Sequence, residues 1–208
     1  MTSALIVTGT DTGIGKTVFA AALAGALGGH YWKPVQAGLD EGGDADMVAR
    51  LSGLPRTHIL PEAYRLTTPC SPHRAAAIDG IVIDPAQLAL PRIDGPLVVE
   101  GAGGVAVPLA PDRLYLDQFA AWGAPVIVVA RTALGTINHS LLTLEALRRR
   151  DIGVLGIAFL GDSEPDSEAT ICRIGGVPRL GRLPILSPLD APRLAAAFRD
   201  NFALEQFA

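Results

Sequence analysis

Lysine is the residue this chain nearly does without. Of its 17 basic residues only Lys16 and Lys33 are lysine, and the rest are arginine. The two therefore mark places where a compact ammonium on a flexible stem is wanted and a planar fork is not. Cysteine is almost as scarce. Cys70 and Cys172 stand far apart without metal-type spacing, which fits a reduced cytosol. No apolar run is long enough to span a bilayer, since the longest, residues 18–27, is too short. The first residues, "MTSALIVTG", lack a basic region and a long apolar stretch, so export is not expected. A net charge of −4 offers no global attraction to nucleic acid. There is no internal repeat and no low-complexity linker. With 49% hydrophobic and 18% charged residues, the expectation is one globular domain over residues 1–208, cytoplasmic, with no nucleic-acid or membrane partner.

What is present is an alternation of short β-branched runs and helical patterns. Residues 4–9 ("ALIVTG"), 31–35 ("YWKPV"), 96–100 ("PLVVE"), 125–130 ("PVIVVA") and 154–160 ("VLGIAFL") read as strands. An Ala/Leu helix is expected over residues 16–27. A second follows from the helical spacing of Ile137, Leu141, Leu144 and Leu147, and a third near residues 190–198. Continuous apolar strands alternating with helices predict an α/β fold with a mostly parallel central sheet covered by helices on both faces. Ligands of such sheets bind beyond the carboxyl ends of the strands. The polar residues there, from Thr8 to Thr12, Lys33, Glu100 and residues 160–162, should then form one site. The stretch 38–95 is poorest in strand signal and should hold loops and short helices over that site.

The segment "GTDTGIGKTV" is a variant phosphate loop. The usual spacing, G-x-x-x-x-G-K followed by Ser or Thr, asks for glycine where Thr10 stands, and Gly9 lies one step early. A strand, a glycine turn, Lys16-Thr17 and then a helix is nonetheless the context that phosphate binding requires. Backbone N–H groups from Gly13 through Val18, Ile14 and Gly15 included, and the helix N-terminus would receive the phosphates. Lys16 would reach the terminal ones, and Thr17 would hold Mg²⁺. Glu100, at the end of a buried strand, is a candidate second Mg²⁺ ligand. The Gly101, Ala102, Gly103, Gly104 turn after it allows close approach of backbone to substrate. Asp44 and Asp46 open a helical run, where one carboxylate could complete the metal's oxygen set or simply cap the helix. Ser71 and Pro72 read as the cap and first residue of another helix, whose free N–H groups suit an anion. The start of "LGTINH" could present amides to a carboxylate. Arg148, Arg149 and Arg150 close that helix at its negative dipole end and read as structural. The four histidines show no metal-ligand spacing.

Taken in order, "GTDTGIGKT", "KPVQAG", "SPH", "VEGAGG" and "LGTINH" closely resemble the dethiobiotin synthetases, over residues 7–186. The resemblance implies a P-loop NTPase-type ligase that uses ATP and Mg²⁺ to carboxylate 7,8-diaminopelargonate with CO₂ or bicarbonate. It also implies closure of a ureido ring. Carried onto matching positions, Lys33 and Lys16 flank the carbamate and γ-phosphate, with Thr12 in the reacting pocket and Ser71 and Pro72 beside the diamine. Thr17, Asp46 and Glu100 hold the metal. Residues Gly135, Thr136, Ile137 and Asn138 bind the substrate carboxylate across a homodimer interface. Leu160, Gly161, Pro184, Ile185 and Leu186 border the nucleotide. Three positions depart from the pattern: Ala37 replaces a hydroxyl residue, Leu160-Gly161 replaces a base-reading Asn, and "DSEATICRI" lacks an aromatic residue. Rival architectures of the same kind are ParA/MinD switch ATPases, which usually carry an additional lysine early in the loop; here none precedes Lys16.

Overall fold

In the computed structural model of the protein, residues 3–39 and 42–207 are described. The chain runs β1 (Ser3–Gly9), α1 (Lys16–Leu27), β2 (His30–Trp32), β3 (Val35–Ala37), α2 (Asp44–Leu51), β4 (Tyr64–Leu66) and α3 (Pro72–Asp79). It continues β5 (Pro96–Gly104), β6 (Pro108–Ala110), β7 (Arg113–Leu114), α4 (Tyr115–Trp122), β8 (Val126–Arg131) and α5 (Thr136–Arg148). The last elements are β9 (Val154–Leu160), α6 (Pro165–Gly175), β10 (Arg179–Leu183) and α7 (Ala191–Asn201).

Six strands form one sheet in the order β10-β9-β8-β1-β5-β2, and every pairing is parallel. Alternate residues of a strand point to opposite faces, and both faces here are covered. Ala4 and Ile6 of β1 join one core with Phe119, Leu144 and Ile171 from α4, α5 and α6. Leu5 and Val7 join the other with Phe19, Val48 and Phe198 from α1, α2 and α7. That double burial is why the strands read as continuous apolar runs instead of alternating ones.

The expected strand over 31–35 is two strands in two sheets. β2 pairs with β5 in the main sheet, whereas β3 pairs with β4 in a separate two-stranded one. Pro34 lies at the break and has no N–H for a ladder. The break leaves Lys33 at the carboxyl end of β2, buried, with its ammonium turned into the cleft described below. The stretch 38–95 holds α2, β4 and α3, as short elements over the carboxyl ends. The edge strand β10 was not legible in sequence. Its arginines break the apolar run, and at Gly181 a Cβ would lie 2.4 Å from the Asn201 carbonyl oxygen.

Candidate active site

The loop between β1 and α1 turns on two glycines in the left-handed region, Gly13 at φ 70° and Gly15 at φ 93°. A side chain at Gly15 would also strike Leu160, whose Cδ2 lies 2.3 Å from the position of a Cβ there. Gly15 is the N-cap of α1 and supplies no capping side chain, and the first turn carries no acid. The free N–H groups and the positive helix end are thus left to an anion. Ile14 is buried beneath the loop.

Four charged side chains meet at this helix end. Thr17 Oγ1 lies 2.8 Å from Glu100 Oε1 and 3.1 Å from Asp44 Oδ1. Lys33 Nζ bonds Asp44 Oδ2 and, at 3.3 Å, Glu100 Oε1. Lys16 Nζ donates to the Asp11 carbonyl at 2.7 Å. Burial pushes the Lys16 ammonium down to about 8, only partly offset by Glu100. Burial pulls on Lys33 too, but Glu100 and Asp44 outweigh it and hold that ammonium above its ordinary value. Two cations and two carboxylates make a balanced set, and Thr17, Asp44 and Glu100 together offer hard oxygens of the kind Mg²⁺ prefers.

These groups line a cleft of about 640 Å³, a size that takes a small-molecule ligand. Of the residues singled out in sequence, Thr12, Gly13, Gly15, Lys16, Thr17, Val18, Lys33, Ala37, Ser71, Pro72, Glu100, Ala102 and Gly103 line it. Asp44, Gln36 and Cys70 line it too. Gln36 Oε1 accepts the Asp44 N–H at 3.1 Å and so ties the start of α2 to β3. No local signal distinguished this glutamine in the sequence.

Asp46 is not among them. It occupies the third position of α2, its Oδ2 accepts the Gly43 N–H, and its Oδ1 pairs with Arg56, with both side chains more than half exposed. Asp44, two residues earlier and some 200° around the helix, is the one that faces Thr17 and Lys33. The structure thus places Asp44, and not Asp46, inside the cleft, because helical rotation turns only one of the two inward. Gly101 is turned into the core, where a Cβ would meet Phe119. Gly104 borders a neighbouring groove with Thr10, Asp11, His139 and Leu142. Leu160 rests on Gly15, and the Gly161 carbonyl accepts from Arg182 at 2.8 Å. Pro184, Ile185 and Leu186 follow β10, outside the cleft lining, with Ile185 exposed. Gly135 begins α5 at φ 91°, and Gly135, Thr136, Ile137 and Asn138 also lie outside the cleft of the single chain. The arginines that close α5 are structural: Arg148 bonds the Gly175 carbonyl, Arg149 pairs with Glu145, and Arg150 pairs with Asp117.

Comparison with known proteins agrees on fold and family. A family model described as an AAA domain matches residues 3–193. The chain is 67% identical over 208 residues to "ATP-dependent dethiobiotin synthetase BioD" of Rhizorhabdus wittichii, spanning all of both chains. It is 63% identical over 206 residues to the protein of that name from Novosphingobium aromaticivorans, covering 99% of this chain and 100% of the relative. Among solved structures, the septum site-determining protein MinD of Pyrococcus horikoshii aligns with a TM-score of 0.59 at 15% identity. That match covers 100% of this chain and 95% of the other. Apo McdA of Cyanthece aligns at 0.58 and 13% identity, over 100% and 96%. At such identities the likeness is one of fold alone.

Proposed function

The chain belongs to the dethiobiotin synthetase family, and from that membership we propose that it uses MgATP to build the ureido ring of dethiobiotin. The substrates are 7,8-diaminopelargonate and CO₂. One amine captures CO₂ as a carbamate, losing a proton. A carbamate oxygen then attacks the γ-phosphorus and releases ADP. Finally the second amine attacks the activated carbonyl carbon, losing a proton, and phosphate leaves.

The observation that carries this reading is the meeting of the chain's two lysines with Thr17, Asp44 and Glu100 in one cleft. Phosphoryl transfer asks a protein mainly for positioning and charge neutralisation. The loop N–H groups and Lys16 would take the β- and γ-phosphates. Lys33 lines the same cleft, where it would hold the carbamate against the γ-phosphate and offset the charge between them. Thr12 Oγ1 lies 3.3 Å from the position of a Cβ at Gly103, and both line the cleft, while Ser71 and Pro72, at the start of α3, would border the diamine.

Mg²⁺ would be held by Thr17, Asp44 and Glu100, and when bound it neutralises the phosphate oxygens. Among the described residues no group of three or more His, Cys, Asp or Glu could hold a metal ion. Two carboxylates and a hydroxyl instead leave positions for phosphate oxygens and water, the usual division for Mg²⁺ in nucleotide sites. A homodimer would complete the substrate site. Leu134, two residues before α5, and Leu142, midway along it, are strongly exposed. Seated on a second copy, this face would bring residues 135–138 toward the partner's diamine and offer N–H groups to its carboxylate. Among the described residues no helix is long and apolar enough to cross a membrane.

The test is incubation with 7,8-diaminopelargonate, labelled bicarbonate and MgATP, following label into dethiobiotin and release of phosphate. Absence of product, together with an ATPase stimulated by DNA or lipid in place of the diamine, would refute the reading.

A further inference from the structure

Glu100 is fully buried, and its two carboxylate oxygens have different partners. Oε1 faces Thr17 Oγ1 at 2.8 Å and Lys33 Nζ at 3.3 Å, and so belongs to the cleft. Oε2 accepts a hydrogen bond at 2.8 Å from the hydroxyl of Tyr31, which does not line the cleft. Tyr31 is itself wholly buried on β2.

The register explains how the two meet. Tyr31 stands opposite Val98 of β5. Glu100, two residues further on, points to the same face of the sheet. The phenol is long enough to lie along that face and end at the carboxylate, whereas the next residue of β2, Trp32, points to the other core. A phenol O–H is a donor and a carboxylate oxygen an acceptor, so the bond runs from Tyr31 to Glu100.

We propose that Tyr31 is a positioning residue, which occupies Glu100 Oε2 so that only Oε1 is presented to the metal and to Lys33. A buried carboxylate with one free oxygen could rotate or engage an ion through both oxygens. Tying Oε2 from behind removes both options and sets the direction of the remaining lone pairs. Partners of this kind that orient a metal ligand typically change metal affinity or activity by about 10- to 100-fold when removed. Read in sequence, Tyr31 was only a strand residue. The available signal was a polar hydroxyl in an apolar run, two residues before Lys33.

The inference rests on the proposed metal role of Glu100, and the test separates the two. Free Mn²⁺ is followed by its electron paramagnetic resonance signal during titration of the protein with ADP present, for wild type and Tyr31→Phe. The expected result is about tenfold weaker Mn²⁺ binding in Tyr31→Phe, with ADP affinity in EDTA the same in both proteins. Tyr64→Phe also loses a phenol oxygen, one that accepts the Asp84 N–H at 2.9 Å, and should leave Mn²⁺ binding as in wild type. In a Glu100→Gln background, Tyr31→Phe should add no further loss, whereas a residue that serves only packing would add its full effect. Equal Mn²⁺ affinity in wild type and Tyr31→Phe, or additive losses, would overturn the proposal. Failure of wild type to bind Mn²⁺ would instead remove the metal role of the cleft. Should Tyr31→Phe not fold, recovery of folding in Tyr31→Phe/Glu100→Gln would support the coupling, and failure of both to fold would overturn it.

Discussion

Two aspartates one turn-fraction apart, Asp44 and Asp46, should behave as opposites when each is changed to Asn. Asp44 is three-quarters buried as a side chain and meets both Thr17 and Lys33 in the cleft. In Asp44→Asn it is the bond to Lys33 that loses its charge, and a hydrogen bond between charged groups is worth ~1.5–3 kcal/mol. At about 1.4 kcal/mol per tenfold in rate, loss of charge at position 44 should lower dethiobiotin formation by roughly 10- to 100-fold, with a raised Mg²⁺ requirement. Lys33 keeps Glu100 as partner, so the fold should survive. Asp46 pairs with Arg56 in solvent, and such pairs contribute only ~0–1 kcal/mol. Asp46→Asn, which also retains an oxygen for the Gly43 N–H, should change turnover by less than about threefold. The assay is initial rate of dethiobiotin formation against Mg²⁺ concentration at saturating ATP and diamine. Equal losses in the two variants, or a greater loss for Asp46→Asn, would refute the assignment.

Lys33→Arg should abolish turnover while nucleotide binding, measured by calorimetry, stays close to wild type, because the loop and Lys16 are untouched and only charge placement changes; more than about a tenth of wild-type activity would count against the role. Replacing ATP by CTP or GTP should cost little affinity, since Leu160 rests on the loop and the Gly161 carbonyl is already engaged by Arg182; strong discrimination in competition binding would show another group reading the base. Asp117→Ala should lower the unfolding midpoint by a few degrees, since Asp117 Oδ2 accepts the Leu114 N–H at the start of α4 and a lost cap costs about 1 kcal/mol. The Leu114 N–H, aided by Arg150, holds this carboxyl below its ordinary value of 3.8. A depressed folded value means that the stabilisation is present at neutral pH and is lost as pH falls below 3.8. The difference between wild type and variant in pH-dependent melting should narrow there, and a constant offset would refute the linkage.

Residues whose role is local were legible beforehand. The start of α1 at Lys16 and the strand Val154–Leu160 follow from nearest-neighbour chemistry: periodicity and a Lys-Thr pair at a helix start. The glycine turn expected directly after Glu100 does not form there, because pairing with β1 carries β5 on to Gly104. Residues whose role depends on distant partners were not. Asp44 and Asp46 are both acids in the first turn of one helix, and nothing within that turn says which faces β5. Gln36 and Tyr31 look like ordinary strand residues until Asp44 and Glu100 are brought against them. β10 escaped because its arginines are held by Glu168, whose buried side chain pairs with both Arg179 and Arg182.

The sequence by itself determined the strand–helix alternation, the phosphate loop, the scarcity of lysine that marks Lys16 and Lys33, and the family. Each of these is written in spacing along the chain, which folding cannot alter. Only the tertiary structure decided which carboxylate meets Thr17, that Lys33 lies between Asp44 and Glu100, and that Tyr31 holds the far oxygen of Glu100. Those relations join residues up to 83 positions apart. They exist because β2 and β5 lie side by side in the sheet and α2 packs over their carboxyl ends, and no local pattern encodes such a meeting.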